Sequence, residues 1–490
     1  MSDPLILVLD EGTTSTRAML FDAAGRLQGL SQQDIAQHYP RPGWVEHDAE
    51  EIWTRTLACA RNVVEQAGGA RRIAAIGIAN QRETVVAWDR RTGAPLSRAI
   101  VWQDRRTAEL CEDLRAAGHE DMVRRATGLL LDPYFSGTKM HWLLENEPAV
   151  AEAAASGRLA LGTVESWLIF KLTGGAHITD PSNASRTLLF PLEGSDWSAE
   201  LCELMGVPRA ALPELAENAQ EGLETDPELL GGAIPICGMA GDQQAATIGQ
   251  GCLSPGETKA TYGTGAFVLT NLGSQVPRSS HRLLGTVLYD IGGRRTYALE
   301  GSVFVAGSLV KWLRDSLGLV ESAAATEELA RSVDSSGGVV IVPALAGLGA
   351  PHWRPEARGL MSGLSFATTP AHIARAALEA MAHQTYDLAQ AFAADGARWE
   401  ALRIDGGMSA NDWMAQDIAN MLGLITTRPD FVETTALGAA MLAGVGRGIF
   451  ETLEDAAAAM IGPGRQFVPE MDDADRNARL AVWLRALSAS

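Results

Sequence analysis

Basic residues are scarce in this sequence. Lys and Arg number 40 against 60 Asp and Glu, a formal net charge of -20. A chain this acidic is repelled by nucleic acid and anionic lipid, and no basic block offers a local exception, so neither is an expected partner. Long apolar runs are also missing: none approaches the roughly 18 residues of a membrane span, and no membrane insertion is expected. The opening MSDPLILVLDEG has no basic flank and only a short apolar stretch, which predicts a first strand rather than a signal peptide. The five cysteines, at 59, 111, 202, 237 and 252, are odd in number and contain no C-x-x-C. That argues against a disulfide framework or a zinc site and for a reducing cytoplasm. The nine histidines are scattered without an H-E-x-x-H, so no structural metal is expected. Neither G-x-x-x-x-G-K-[ST] nor a strand–GxGxxG–helix unit occurs, which removes the main support for a P-loop or a dinucleotide site. No short-period repeat appears, excluding solenoids and propellers.

What remains is a chain of 490 residues, 46% hydrophobic and 20% charged, the composition of a soluble globular protein of two domains. Residues 5–9 and 17–21 flank a Gly-Thr turn and predict a β-hairpin. Asp48-Ala-Glu-Glu51 starts a helix with Ile52, Trp53, Leu57 and Val64 on its apolar side. Residues 72–79 predict a buried strand ending at NQRET, and residues 85–93 a second hairpin. The second half restarts the pattern: TKATYGTGAFVLT (258–270) again sets a Gly-Thr turn between strand-like segments. Thr369-Pro370 predicts a helix start and Asp395-Gly396 its end. A strand and turn, LRIDGGMSAN, precede a helix carrying Met414, Ile418, Met421 and Leu422. A boundary near residues 250–256, where Gly and Pro cluster, gives each half one Gly-Thr turn, with a nucleotide in the cleft between them.

Glycine lets backbone N–H groups close around phosphate oxygens, and Thr hydroxyls add donors. The first such turn is preceded by two carboxylates, Asp10 and Glu11. Negative charge beside a phosphate makes sense if a divalent cation lies between them, and Mg²⁺ is commonly held by one or two carboxylates plus phosphate oxygens. Asp10 is the candidate. Glu11, its neighbour on the strand, points to the opposite face and reads as a solvated side chain. Asp242, in AGDQQAA, starts a small-residue helix; it either accepts a proton from an alcohol substrate or simply caps the helix. Arg82 and Glu83 suit vicinal hydroxyls, or form a salt-bridged strand end. Trp102, Tyr134 and Phe135 offer apolar faces near polar groups, equally fit for core.

Taken together, DEGTTSTR (10–17), YPRPGWVEHDAEEIW (39–53), NQRET (80–84), VWQDRRTAE (101–109), TGLLLDPYFSGTK (127–139) and DPSNASRT (180–187) resemble the FGGY carbohydrate-kinase family. So do AGDQQAA (240–246), YGTGAF (262–267), ALEGSVFVAG (298–307), GLGAPHW (347–353), DGGMSAN (405–411) and TALGAAMLAG (435–444), so that the similarity runs nearly end to end. It implies an α/β protein of two ribonuclease-H-like, actin-type ATPase domains flanking a nucleotide and substrate cleft. Residues 1–250 would carry the polyol site and first phosphate loop, and 251–490 the nucleotide site. GWVEHD and NQRET point to the branch that phosphorylates glycerol with Mg-ATP in glycerol catabolism; another small polyol or sugar is the alternative. An actin-like switch ATPase would not need Arg82, Glu83 and Tyr134 beside Asp242.

The resemblance implies glycerol contacts at Arg82, Glu83, Trp102, Tyr134, Asp242, Gln243 and Phe267, with Asp242 as catalytic base. It implies nucleotide contacts at Thr13, Thr14, Ser15, Arg17, Gly263, Thr264, Gly265, Gly307, Lys311, Gly407 and Asn411. Asp10 and Asp242 would lie at the metal. A cytoplasmic homodimer or tetramer is the family expectation. Three departures stand out: Glu11 and Lys311 occupy positions where many relatives carry Gln, and DPELLGGAIPICG (226–238) lacks the basic residues of a loop that binds a sugar bisphosphate regulator in some bacterial members.

Overall fold

The computed structural model describes residues 4–354 and 356–490; Met1–Asp3, with which the expected first domain begins, lie outside them. Leu5–Glu11 (β1) is buried at all seven positions, which is why its first five residues read as an apolar run instead of alternating. The Gly-Thr turn folds it back on Ser15–Asp22 (β2), with Asp10 opposite Arg17. Leu27–Asp34 (β3), Ile73–Asn80 (β4), Ala219–Glu224 (β5) and Pro235–Gly241 (β6) complete a six-stranded sheet in the order β5-β6-β4-β1-β2-β3. Within it β1, β4 and β6 run parallel and the remaining pairs antiparallel.

A second sheet repeats that path. Glu257–Tyr262 (β7), Ala266–Gly273 (β8), Leu284–Ile291 (β9), Arg294–Val303 (β10), Ala401–Asp405 (β11), Thr426–Pro429 (β12) and Gly464–Phe467 (β13) lie in the order β9-β10-β8-β7-β11-β12-β13. Here β7, β11 and β12 are the parallel strands. Apart from the additional edge strand β9, each sheet is an antiparallel three-strand meander with two parallel strands and an antiparallel edge.

One long helix covers each sheet. Ala49–Ala67 (α1) is capped by Asp48, which accepts the amides of Glu50 and Glu51, and it ends at Gly68 in the left-handed region. Its Ile52, Trp53, Val63 and Val64 join Leu7, Leu9 and Leu20 in one core. After Ser136–Asn146 (α2), Asp242–Gly249 (α3) and Gly307–Asp315 (α4), Pro370–Ala394 (α5) plays the same part for the second sheet. Leu378, Met381 and Phe392 of α5 pack with Ala260, Val268 and Ile404. Both bounds of α5 follow the Thr-Pro start and Asp-Gly end read from the sequence. Asp412–Leu422 (α6) buries Met414, Ile418 and Met421 as its spacing predicts.

Thr434–Gly446 (α7) belongs to the second half of the chain but packs on the first sheet, its Ala436, Ala439, Ala440 and Ala443 meeting Ile6, Val8, Ala75 and Ala79. It crosses α3 so closely that a Cβ on Gly438 would sit 1.8 Å from the Ala245 carbonyl oxygen, and only glycine fits there. None of the described helices is long and apolar enough to cross a membrane.

One local expectation is corrected. Val86–Asp89 folds back locally through the antiparallel bridges Trp88–Pro95 and Val85–Ile100, but its full ladder is an antiparallel pairing with Leu159–Gly162 rather than an independent hairpin. The Asp89 turn does form, its carboxylate accepting the amides of Arg91 and Thr92, but a distant strand supplies the ladder.

Candidate active site

The parallel strands carry their polar residues to the edge of the sheet facing the cleft. There Arg82, Glu83, Trp102, Tyr134, Asp242, Gln243 and Phe267 line one cavity of about 50 Å³, together with Thr13 from the first Gly-Thr turn. These are the seven side chains expected at the polyol, contributed by the segment after β4, by two loops, by the start of α3 and by β8. Trp102 stands edge-on to Tyr134 and Phe267, with ring centroids 5.8 and 6.4 Å apart, and its indole donates to the Thr13 hydroxyl at 2.9 Å. An apolar corner and a ring of polar groups thus share one small volume, as a three-carbon polyol requires.

Asp242 is the first residue of α3, and the cap position belongs to Gly241. The plain N-cap reading of Asp242 is therefore wrong by one residue, and its carboxylate is free to project. One oxygen accepts the Gln243 amide at 2.7 Å and lies 3.3 Å from Arg82 Nε, and 32% of the side chain is exposed, on the cavity side.

Arg82 is almost wholly enclosed. Its Nη1 and Nη2 donate to the two oxygens of Glu300 at 2.5 and 3.2 Å, and Nη2 also reaches the Tyr134 hydroxyl at 3.4 Å. Arg186 donates to Glu83 at 2.7 Å and to Glu300 at 3.1 Å, closing a ring of four buried charges. Burial would push the Glu300 carboxyl up, but the Arg186 and Arg82 charges hold it down at about 2. Glu83 sits at φ 61, a rare conformation for a residue with a Cβ. The salt-bridged reading of Arg82 and Glu83 holds, and both side chains also line the cavity.

The two turns face the same cleft. Thr14 is exposed, and Ser15 accepts from Gln32 at 3.2 Å. Arg17 is clamped between Asp10 at 2.6 Å and Glu433 at 2.5 Å, next to α7. Burial pushes the Asp10 carboxyl up to about 6; Arg17 opposes this, while the Asp242 and Glu433 charges add to it. In the second turn Thr264 is exposed, and its carbonyl accepts the amides of Ala306 and Ser308 and the Ser308 hydroxyl. Gly263, Thr264 and Gly265 are thereby joined to the start of α4, where a Cβ on Gly307 would meet the Gly263 carbonyl at 2.6 Å. Gly407 is exposed. Asn411 caps α6 by accepting the Met414 amide at 2.9 Å and donates to Thr326 at 3.3 Å, so a nucleotide contact must compete with those bonds. Lys311 is exposed on α4.

Glu11 is corrected. It is fully buried on the helix-facing side of β1, accepting from Thr56 of α1 at 2.8 Å. Burial pushes its carboxyl up to about 8, so at neutral pH it is protonated in the main and adds little charge near a phosphate. The opposed directions of Asp10 and Glu11 follow from strand periodicity; the solvated reading failed because α1 covers that face.

Sequence reasoning assigned no role to Arg186, Glu300, Lys259 or Lys139. Lys259 is buried on β7, donating to the Gln243 side-chain oxygen and to Thr261 at 2.8 Å. Lys139 of α2 donates to the Tyr134 and Phe135 carbonyls at 2.5 and 3.2 Å, and burial pushes its amine down to about 8. A signal existed for three of the four: Arg186, Glu300 and Lys139 lie inside the motifs DPSNASRT, ALEGSVFVAG and TGLLLDPYFSGTK, where a charge among small or apolar residues asks for a buried partner.

A duplicated sheet with one Gly-Thr hairpin per copy and a cleft between is the ribonuclease-H-like, actin-type ATPase architecture, and the small polar cavity lined from both halves marks a small-molecule site. The chain belongs to the FGGY family of carbohydrate kinases: the family's N-terminal domain matches residues 5–249 and its C-terminal domain residues 258–447. It is 52% identical to a glycerol kinase of Gluconobacter oxydans, over 98% of this chain and 94% of that one. It is 53% identical to a glycerol kinase of Dechloromonas aromatica, over 100% and 98%. Among solved structures, the Plasmodium falciparum glycerol kinase with ADP superposes with a TM-score of 0.94 at 34% identity, covering 99% of this chain and 98% of that one. A gluconate kinase from Lactobacillus acidophilus, at 21% identity and a TM-score of 0.89 over 100% and 98%, shares the fold.

Proposed function

We propose that this chain transfers the γ-phosphoryl group of ATP to a terminal hydroxyl of glycerol, with Asp242 as general base. The observation that carries the reading is the cavity itself: one carboxylate, one arginine fork, one further carboxylate and three aromatic rings around a volume of about 50 Å³. High identity to glycerol kinases over nearly the whole chain supports it.

Phosphoryl transfer asks for alignment and charge neutralisation more than for covalent chemistry. In this reading Arg82 and Glu83 hold two hydroxyls of the polyol, one as donor and one as acceptor. Trp102 and Phe267 exclude water from its carbon side, and Gln243 adds a polar contact held in place by Lys259. Asp242 takes the proton of the third hydroxyl as it attacks. Thr13, Thr14, Ser15 and Arg17 face the phosphates from the first sheet. Gly263, Thr264, Gly265 and Gly307 face them from the second, with Gly407, Asn411 and Lys311 towards the nucleoside. The same reading keeps the division near residue 250, each half supplying one wall of the cleft.

The donor set fits a divalent cation that enters with the nucleotide. Among the described residues no group of three or more His, Cys, Asp or Glu could hold a metal alone, but the Asp242 charge lies near enough to Asp10 to push its carboxyl up. Two carboxylates completed by phosphate oxygens is the usual Mg²⁺ arrangement. When bound, Mg²⁺ supplies the positive charge that offsets the phosphates and these carboxylates. A cytoplasmic homo-oligomer is part of the same reading.

The test is ADP release from Mg-ATP across a polyol panel, comparing wild type with Asp242→Asn. Glycerol-dependent turnover that falls by about a thousandfold or more in the variant, with glycerol binding retained, is expected. Turnover confined to a longer polyol or a ketose overturns the substrate, and ATP hydrolysis indifferent to every polyol overturns the reaction.

A further inference from the structure

Arg82 and Glu83 reach the cavity, whereas the side chains that hold them stand behind it. Glu300 comes from β10 in the second sheet and Arg186 from the segment after Asp180, and both are completely buried. The Glu300 carboxylate takes one N–H from each Nη of Arg82, a fork-to-fork pair that fixes the plane and direction of the guanidinium. The fork's other groups are thereby aimed: Nε towards Asp242 at 3.3 Å, Nη2 towards the Tyr134 hydroxyl at 3.4 Å and Nη1 towards Gln244 at 3.4 Å. Arg186 bonds the same Glu300 carboxylate and also Glu83, whose own carbonyl accepts the Ser136 hydroxyl at 3.1 Å. An Arg-Glu dipeptide with a left-handed Glu is therefore held from both ends by two residues that do not line the cavity.

We propose that Glu300, with Arg186, is the positioning pair that sets substrate specificity, by fixing which N–H groups of Arg82 and which oxygen of Glu83 are presented to the polyol. This inference rests on the reaction proposed above. Without the Glu300 carboxylate, the nearest acidic partners left to Arg82 are Asp242 at 3.3 Å and Glu83 at 3.9 Å, both of them cavity groups. The fork would turn onto them and withdraw their oxygens from the substrate. Because Glu300 is carried by the second sheet, the polyol pocket, built mainly on the first half, is complete only with β10 in place.

The measurement is steady-state kinetics of Glu300→Gln, which keeps shape and volume while removing the charge. The glycerol KM is expected to rise about tenfold or more with the ATP KM held within about twofold, since only one substrate is bound through Arg82. In an Arg82→Lys background the same substitution is expected to add less than about twofold, because it acts through the fork. A glycerol KM that stays put, both KM values rising together, or a full additional effect without the Arg82 fork each overturns the inference. Should Glu300→Gln fail to fold, Glu300→Asp keeps the charge and withdraws it by one methylene. It is expected to raise the glycerol KM about threefold or more and to leave the ATP KM unchanged, and no rise overturns the inference. Wild-type protein inactive on every polyol overturns the proposed reaction, and with it this inference; an active wild type whose Glu300→Gln variant is unaltered overturns the inference alone.

Discussion

The two sheets place the same hairpin in the same position and fill it with different chemistry. On β1 and β2 the cleft-facing pair is Asp10 opposite Arg17; on β7 and β8 the corresponding pair is Thr261 opposite Phe267. One residue further along, on the face turned to the long helix, Glu11 meets Thr56 of α1, whereas Tyr262 meets Thr385 of α5 at 2.6 Å. Backbone topology thus supplies two equivalent turns, and side chains make them unequal. The first turn carries a half-buried ion pair, which the proposed reading sets beside phosphate and cation. The second carries a ring, Phe267, that lines the cavity beside its Gly-Thr turn. Duplication gives the cleft, and on the proposed reading divergence at two strand positions gives it a phosphate side and a carbon side.

The cleft-facing difference predicts the largest effect. Arg17→Met removes the cation beside Asp10 and is expected to lower kcat/KM for ATP about a hundredfold, with the glycerol KM little changed. Phe267→Ala should do the reverse, raising the glycerol KM about tenfold by opening the apolar wall while sparing the ATP KM. Steady-state kinetics with each substrate varied in turn reads both. Crossed effects, with Arg17 acting on glycerol or Phe267 on ATP, would break the division of labour between the hairpins.

The helix-facing difference predicts a pH dependence at the first hairpin that the second hairpin lacks. Glu11, fully buried, has its carboxyl pushed up to about 8 by burial, with hydrogen bonds from Thr16 and Thr56 working against that and the Asp10 charge adding to it. A raised carboxyl pKa means the folded chain holds a proton the unfolded chain has lost. Its contribution is complete below about 4.5 and disappears as pH rises through about 8. The buried His47, His177 and His383, pushed down by burial to about 4, 4 and 3, act in the opposite sense, but only below their ordinary value of 6.5. Between pH 6.5 and 8, wild type should therefore lose about 2 kcal/mol relative to Glu11→Gln, which cannot titrate. Urea denaturation midpoints across that window measure the difference, and parallel profiles would show Glu11 ionised in the fold.

Local pattern made much of this legible and distance hid the rest. The hairpins, the caps of α1 and α5 and the opposed faces of Asp10 and Glu11 follow from period-two alternation and from Gly, Thr and Pro at fixed offsets. What Glu11 would meet did not follow, since Thr56 lies 45 residues away on a helix whose docking the strand cannot announce. The partner of Val86–Asp89 was missed for the same reason, because the Leu159–Gly162 strand is remote in sequence. The seven cavity residues were named through family resemblance, whereas the Arg82–Glu300 pair spans 218 residues and carries no local signature. Sequence spacing reports faces and ends; ionic partners across two sheets require the fold.

Tyr262→Phe is the small counterpart that sharpens the comparison. It deletes one hydroxyl from a buried ring and leaves Thr385 its helical bond to the Met381 carbonyl at 2.7 Å, so no donor is stranded. The expected loss is about 1 kcal/mol, that of a neutral hydrogen bond without an orphaned partner. Burial pushes the Tyr262 phenol above its ordinary range, with the Thr385 hydrogen bond working against it, so neither wild type nor variant titrates there below pH 9. Its denaturation midpoint should therefore differ from wild type by the same amount at pH 6.5 and pH 8. A constant offset at Tyr262 beside a sloping one at Glu11 locates the pH dependence in the carboxylic acid; a slope at both positions would instead assign it to a general property of the strand–helix junction, and the two halves would no longer differ in kind.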